Sequence, residues 1–179
     1  MSLSPDLAEV LRGLLLGRGV AALATLHEGL PFASMVPFAA TTLGGRFRLV
    51  IHVSGLAAHT RDMRATPDAC LLVTAPESAE VPPQALPRVS LPGRATFVPP
   101  ADPEGPALQA VYLDKFPEAA ELFQFADFSL VVIEPTSARF VAGFARALTL
   151  SAATLAAVLD NRAAPAPGAS AVAREAESD

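Results

Sequence analysis

Residues 20–40, "VAALATLHEGLPFASMVPFAA", leave the chain few options. Two apolar runs flank the tetrapeptide "HEGL", His27 to Leu30. "VAALATL" reads as a short buried strand and "PFASMVPFAA" as a second one. The polar, glycine-bearing segment between them is short enough for a tight turn, so the pair predicts an antiparallel hairpin. The second run is odd for a central strand. Ser34 sits among apolar neighbours, and Pro37 lacks the N–H that a ladder needs, which suits a sheet edge or a break in pairing.

The same punctuation recurs along the chain. "SPDLAEVLRGLLLGR" predicts an N-terminal helix, with Ser4 as cap, Pro5 in the first turn, and Leu7, Val10, Leu11, Leu14 and Leu15 on one face. Gly17 and Gly19 end it. "LGG" at Leu43–Gly45 is a turn. "RFRLVIHV" alternates Arg46 and Arg48 with Phe47 and Leu49, the pattern of a half-exposed strand. "LAAHTRDMRAT", from Leu56, fits a short helix stopped by Pro67. "DACLLVTA" is a strand and "ESAEVPPQALP" a proline-rich loop. "RVSLPGRATFV" is a long strand with an expected kink or bulge at Pro92 and Gly93. Two helical segments follow, "PEGPALQAVYLDKF" and "PEAAELF". "FSLVVIEP" and "ARFVAGFARAL" are the closing strands, and "SAATLAAVLDNR" is a last helix capped by Ser151.

About seven short strands, with helices inserted between hairpins, predict a mainly β fold: a small antiparallel barrel and not a βαβ array. One domain over residues 1–160 suits a chain of 179 residues. Residues 161–179, "NRAAPAPGASAVAREAESD" after its first two positions, hold almost no large apolar side chain and are expected to be disordered. No apolar run approaches the roughly 20 residues of a membrane span. The N-terminus lacks the basic start of a signal peptide, and one cysteine, Cys70, fits a reducing compartment. A cytoplasmic protein without a membrane partner is the expectation. A net charge of −5 argues against nucleic acid, which needs clustered cations to neutralise phosphates.

No paired catalytic motif, P-loop, H-E-x-x-H or C-x-x-C is present. Cys70 lies in an apolar strand, the setting of an inert thiol. Three scattered histidines make a poor metal site. The polar residues gather instead at the junction "LVIHVSGLAAHTRDM". There Ser54 is expected at or next to a helix N-cap, where free N–H groups attract anions. His59, Thr60 and Arg61 follow, offering an imidazole, a hydroxyl and a permanent cation. A capped surface helix with a solvated arginine is the plainer reading of the same residues.

Taken together, "GVAALATLHEGLPFASMVPFA", "LVIHVSGLAAHTRDMRATPDACLLV", "QALPRVSLPGRA" and "YLDKFPEAAELFQFADFSLVVIEPTSARFVAGFARA" resemble the pyridoxamine 5′-phosphate oxidase-like FMN-binding split-barrel superfamily. The resemblance is closest to its branch related to haem-utilisation proteins. It implies a split barrel of six to seven mostly antiparallel strands that forms a homodimer, with cofactor clefts at the subunit interface. Carried over, Ser34, Met35, Val36 and Pro37 would line a flavin ring. Ser54, His59, Thr60 and Arg61 would hold its phosphate. Arg88 falls where the oxidases place a flavin-contacting glutamine, and Gly143 and Arg146 would reach the cleft from the partner chain. His52 and Asp62 depart from the family pattern, and Asp62 brings a negative charge to a proposed anion site.

Three functions follow. An FMN-dependent oxidoreductase acting on a small-molecule substrate would leave the electron chemistry to its cofactor. A flavin- or haem-binding module without turnover would use His52 or His59 as ligand. A cofactorless dimeric scaffold would show Asp62 paired with Arg61. Deazaflavin is a further cofactor that the resemblance allows.

Overall fold

The computed structural model describes residues 3–143 and 146–160. The tail expected to be disordered, 161–179, lies outside the described residues. Helix α1 (Pro5–Gly17) leads into β1 (Val20–His27), β2 (Leu30–Pro37), β3 (Ala39–Thr41) and β4 (Arg48–Ser54). Then come α2 (Ala58–Ala65), β5 (Asp68–Thr74), β6 (Arg88–Phe97) and α3 (Gly105–Lys115). A 3-10 segment (Pro117–Gln124), β7 (Phe128–Pro135), β8 (Ser137–Val141), β9 (Ala147–Ser151) and α4 (Ala152–Asp160) complete the order. Among the described residues no helix is long and apolar enough to cross a membrane.

The expected hairpin is present, with His27 paired to Leu30 across a two-residue loop. Glu28 and Gly29 both have positive φ, 51° and 80°. Such a loop matches the right-handed twist of the flanking strands. All pairings are antiparallel, in the order β2-β1-β5-β6-β7-β4-β3, with β8 and β9 branching from β6. This is the expected split barrel.

The run "PFASMVPFAA" is two strands, not one. β2 ends at Pro37, Phe38 is fully buried, and β3 pairs with β4. β2 and β3 stand at opposite ends of the strand order, so the sheet must curl until its edges meet at Phe38. The contact with β1 outlasts the proline, since the Phe38 N–H still donates to the Gly19 carbonyl at 3.1 Å, and the chain crosses to β4 only after Phe38.

"RFRLVIHV" also differs from expectation. β4 begins at Arg48, and six of its seven residues are buried, so it is covered on both faces. Leu49, Ile51 and Val53 face the barrel interior with Leu23, Leu71, Leu91 and Ile133. Val50 faces a second core under α3, with Leu108, Tyr112 and Val132. Arg48 is buried because its fork grips Glu104, Nη1 to Oε2 at 2.8 Å and Nη2 to Oε1 at 2.9 Å. A bidentate pair of this kind offsets much of the cost of desolvating the charge. Its partner lies 56 residues away in sequence, outside the reach of any strand pattern.

Pro92 and Gly93 carry no bulge. The register with β5 runs unbroken from Asp68↔Arg94 to Thr74↔Arg88. On its other side β6 changes partner: Arg88–Ser90 pair with β8, and Gly93–Phe97 pair with β7. Pro92, which has no N–H, marks the exchange, and its carbonyl accepts both the N–H and the hydroxyl of Thr136. Here the barrel splits. "ARFVAGFARAL" is correspondingly two strands, β8 and β9, joined by a turn in which Gly143 has φ 144°. At the N-terminus, Ser4 occupies the cap position without a side-chain bond, and Val10 is exposed. Ser151 does cap α4, accepting from the Thr154 N–H at 3.2 Å.

His52, on the outer face of β4, is 9% exposed. Its ring stacks on Phe123 (3.9 Å, 5°) and meets Phe128 and Tyr112 at 5.0 and 5.8 Å. Its Nδ1 has no partner among the described residues. Burial pushes its pKa below 6.5, so the unfolded chain binds the proton more readily. Stability therefore falls as pH drops below 6.5. His52→Leu should flatten that acid slope, read as thermal midpoints at pH 5 and pH 8 that lie closer together than in the native protein. At the split, a Cβ on residue 93 would collide with the Glu134 carbonyl. Gly93→Ala should cost about 3 kcal/mol, a fall of roughly 10 °C in midpoint.

Candidate functional site

Strand β1 alternates exposed and buried residues along the hairpin. Thr25 and His27 thus share one face, toward α2, and Ser34 on β2 pairs with Leu23 of the same strand. On α2, His59 and Asp62 are three residues apart, hence on one side of the helix. That side packs on β1. Ser34 Oγ lies 3.0 Å from His59 Nδ1. Thr25 Oγ1 donates to Asp62 Oδ2 at 2.9 Å, and His27 Nδ1 meets Asp62 Oδ1 at 2.8 Å. One strip therefore carries two imidazoles, two hydroxyls and a carboxylate.

The electrostatics of the strip follow from burial and partners. Asp62 is 5% exposed, whereas His27 is 41% exposed. Burial pushes the Asp62 carboxyl up, but the hydrogen bonds from His27 and Thr25, and the charges of His27 and Arg61, outweigh it and hold it below 3.8. Burial lowers the His59 pKa, and the Asp62 charge opposes this only in part. Both Asp62 oxygens are taken by Thr25 and His27, so the pairing with Arg61 expected of a bare scaffold is not what the carboxylate makes.

The junction is arranged differently from the expected phosphate cradle. The N-cap of α2 is Ala57, with no side-chain cap bond. Ser54 closes β4 three residues earlier; its hydroxyl donates to Asp127 Oδ2 at 2.8 Å and accepts from the Leu56 N–H. Thr60 is fully buried and donates to the Ser54 carbonyl at 2.7 Å. Arg61 reaches the Leu56 carbonyl at 3.1 Å and stays exposed. Of the four, His59 and Arg61 keep polar atoms free for a ligand.

The other expected contacts separate by face. Along edge strand β2, Met35 and Pro37 point outward, while Val36 is buried and Ser34 half-buried. One flat ring cannot touch all four side chains. Arg88 donates to the Gln84 and Leu86 carbonyls, and Gly143 and Arg146 belong to the β8–β9 turn. Among the described residues of one chain, none of these three is seen to bond to β2 or α2. Outside the barrel, Val20, Ala22, Met35, Leu72 and Thr74 line an open cleft of about 330 Å³. Cys70 is half-buried, and burial raises its pKa. Among the described residues no three His, Cys, Asp or Glu side chains gather as a metal site.

The pairing of His27 with Asp62 was not foreseen. The available signal was the i, i+3 spacing of His59 and Asp62 combined with the alternation of Thr25 and His27. The carboxylate accepts from Nδ1, which fixes the neutral ring as the Nδ1–H tautomer with a free lone pair on Nε2. Asp62→Ala removes the acceptor and should let the proton move to Nε2. The imidazole nitrogen shifts in NMR, recorded with the ring neutral, should exchange positions; unchanged shifts would refute the assigned hydrogen bond.

A family model described as pyridoxamine 5′-phosphate oxidase matches residues 7–142. The chloroplastic heme oxygenase HOZ of Arabidopsis thaliana is 36% identical over 148 residues, which is 81% of this chain and 42% of that protein. A heme binding protein from Mycobacterium smegmatis superposes with a TM-score of 0.73 at 35% identity, covering 87% of this chain and 62% of that one. HutZ, a heme storage protein from Vibrio cholerae, shares the fold at a TM-score of 0.63 and 24% identity, over 75% of this chain and 91% of its own. The chain thus spans less than half the length of the curated relative and under two thirds of the mycobacterial one. With most of its length matched and its barrel superposing on these proteins, the chain belongs to the pyridoxamine 5′-phosphate oxidase family.

Proposed function

We propose that the chain binds haem on the strip formed by α2 and the β1–β2 hairpin. The observation that carries this reading is the donor set of the strip. It pairs a carboxylate-backed, solvent-reaching imidazole with a second imidazole, beside the exposed apolar side chains of Leu30 and Phe32, which stand opposite His27 and Thr25 on β2. A haem needs that combination of nitrogen ligand and apolar wall. The two relatives at 35–36% identity, both named for haem, support it. When bound, haem supplies an iron centre for ligand or oxygen chemistry. This chain's residues would hold and orient it, with His27 and His59 within the strip and Arg61 as a cation for a carboxylate.

An FMN-dependent oxidoreductase acting on a small molecule is the second reading. It is favoured by Arg61 and the uncapped start of α2, which together suit a phosphate. Against it stand the Asp127 carboxylate on Ser54 and the engaged Thr60 hydroxyl. Either cofactor is proposed to sit at the interface of a homodimer. The outward apolar face of β1, β2 and β5 would meet its copy there, with Gly143 and Arg146 approaching from the partner.

Titrating the purified chain with hemin should produce a Soret band that saturates near one equivalent per chain, whereas FMN should leave its own fluorescence unquenched. FMN quenching without a Soret band would reverse the order of the two readings. Light scattering should give twice the 18.5 kDa chain mass, and the double change Met35→Glu, Leu72→Glu should return it to the single-chain value.

A further inference from the structure

We infer that His27, through Nε2, is the residue that would ligate the iron of a bound haem. The inference rests on the haem reading above and assigns the atom that makes the bond. The choice among the three histidines is made by their surroundings. His52 is walled in by Phe123, Phe128 and Tyr112, and its second-core position leaves no room for a macrocycle. His59 is half-buried, with Nδ1 against a serine hydroxyl. That hydroxyl can donate or accept, so it does not dictate which ring nitrogen keeps its lone pair. Of the three, His27 has its tautomer set by a carboxylate on Nδ1, leaving the Nε2 lone pair for a ligand, on a side chain 41% exposed.

The support behind the ring is complete. Asp62 accepts from Nδ1, and Thr25 in turn orients Asp62 through its other oxygen. A carboxylate in that position raises the basicity of a ligating imidazole and fixes its plane, as outer partners of metal-bound histidines do. The neighbourhood suits a macrocycle as well as an iron. The Phe32 ring lies 5.4 Å from His27 at 43°, and Leu30 is 70% exposed at the hairpin tip. An apolar side chain so exposed contributes little to the monomer, but would lie against a porphyrin face. Arg61, exposed and immediately before Asp62 on α2, would give a propionate its counter-charge.

Three variants test the assignment in the full chain with hemin as the probe. The native protein should show the absorption bands of nitrogen-ligated haem and, when reduced, an iron–histidine stretch in resonance Raman. His27→Asn keeps an N–H for Asp62 but cannot replace the ring; it should lose that stretch and bind hemin more weakly, on the order of 10-fold or more. His27→Gly should recover the native bands when imidazole is added. Asp62→Asn should keep haem but lower the stretching frequency and weaken binding on the order of 10-fold. If His27→Asn retains the native spectrum and affinity, or if His59→Asn abolishes the stretch instead, the ligand assignment is wrong while the haem reading stands. If the native chain takes up no hemin, both fall together.

Discussion

The corner at Phe38 governs this molecule. The chain leaves one edge of the sheet at Pro37 and enters the opposite edge at Ala39, so the strands have to close on themselves. Phe38 fills the inside of that corner, fully buried. The Lys115 ammonium lies 4.4 Å above its ring and donates to the Arg18 carbonyl at 2.6 Å. A desolvated cation over an aromatic face is worth up to about 2 kcal/mol. Burial holds the amine's pKa down to about 8, so α3 is tied to the corner by a charge kept partly out of water. The sheet closes, α3 covers β4, and α2 comes to lie across the start of the hairpin as a consequence.

That placement is what makes the strip chemically unusual. A carboxylate 5% exposed is normally costly, but Asp62 is met by a hydroxyl on one oxygen and an imidazole on the other. The charge that looked like an obstacle to an anion is consumed locally. What reaches solvent is the His27 side chain, held in place by the carboxylate behind it. A side chain read as a departure from the family pattern thereby becomes the support behind His27.

Local features were readable from the sequence, and distant partners were not. "HEGL" announced its turn because glycine and a short polar segment between apolar runs admit few alternatives. Ser151 and Pro67 marked helix boundaries by the same local chemistry. The corner at Phe38 was hidden because "PFASMVPFAA" is apolar throughout and periodicity cannot see a change of partner strand. Arg48 looked like a solvent-facing residue, since its partner Glu104 belongs to another segment. The spacing puts Ser54 at a helix cap that the structure gives to Ala57, because β4 runs one residue further, to Ser54, and α2 starts two residues later, at Ala58. His27 and Asp62, 35 residues apart, required the fold to bring them together.

The double burial of β4 shapes how the chain reaches its final form. β4 pairs with β7 across about eighty residues of sequence, and closing so long a loop takes entropy before any contact repays it. Such topologies belong to the slow-folding class. Until β7 and α3 arrive, "LVIHV" is a bare, uncharged β-prone segment, the kind that pairs with copies of itself. Arg46 and Arg48 at its head serve as gatekeepers during that interval, before one of them is sealed inside with Glu104.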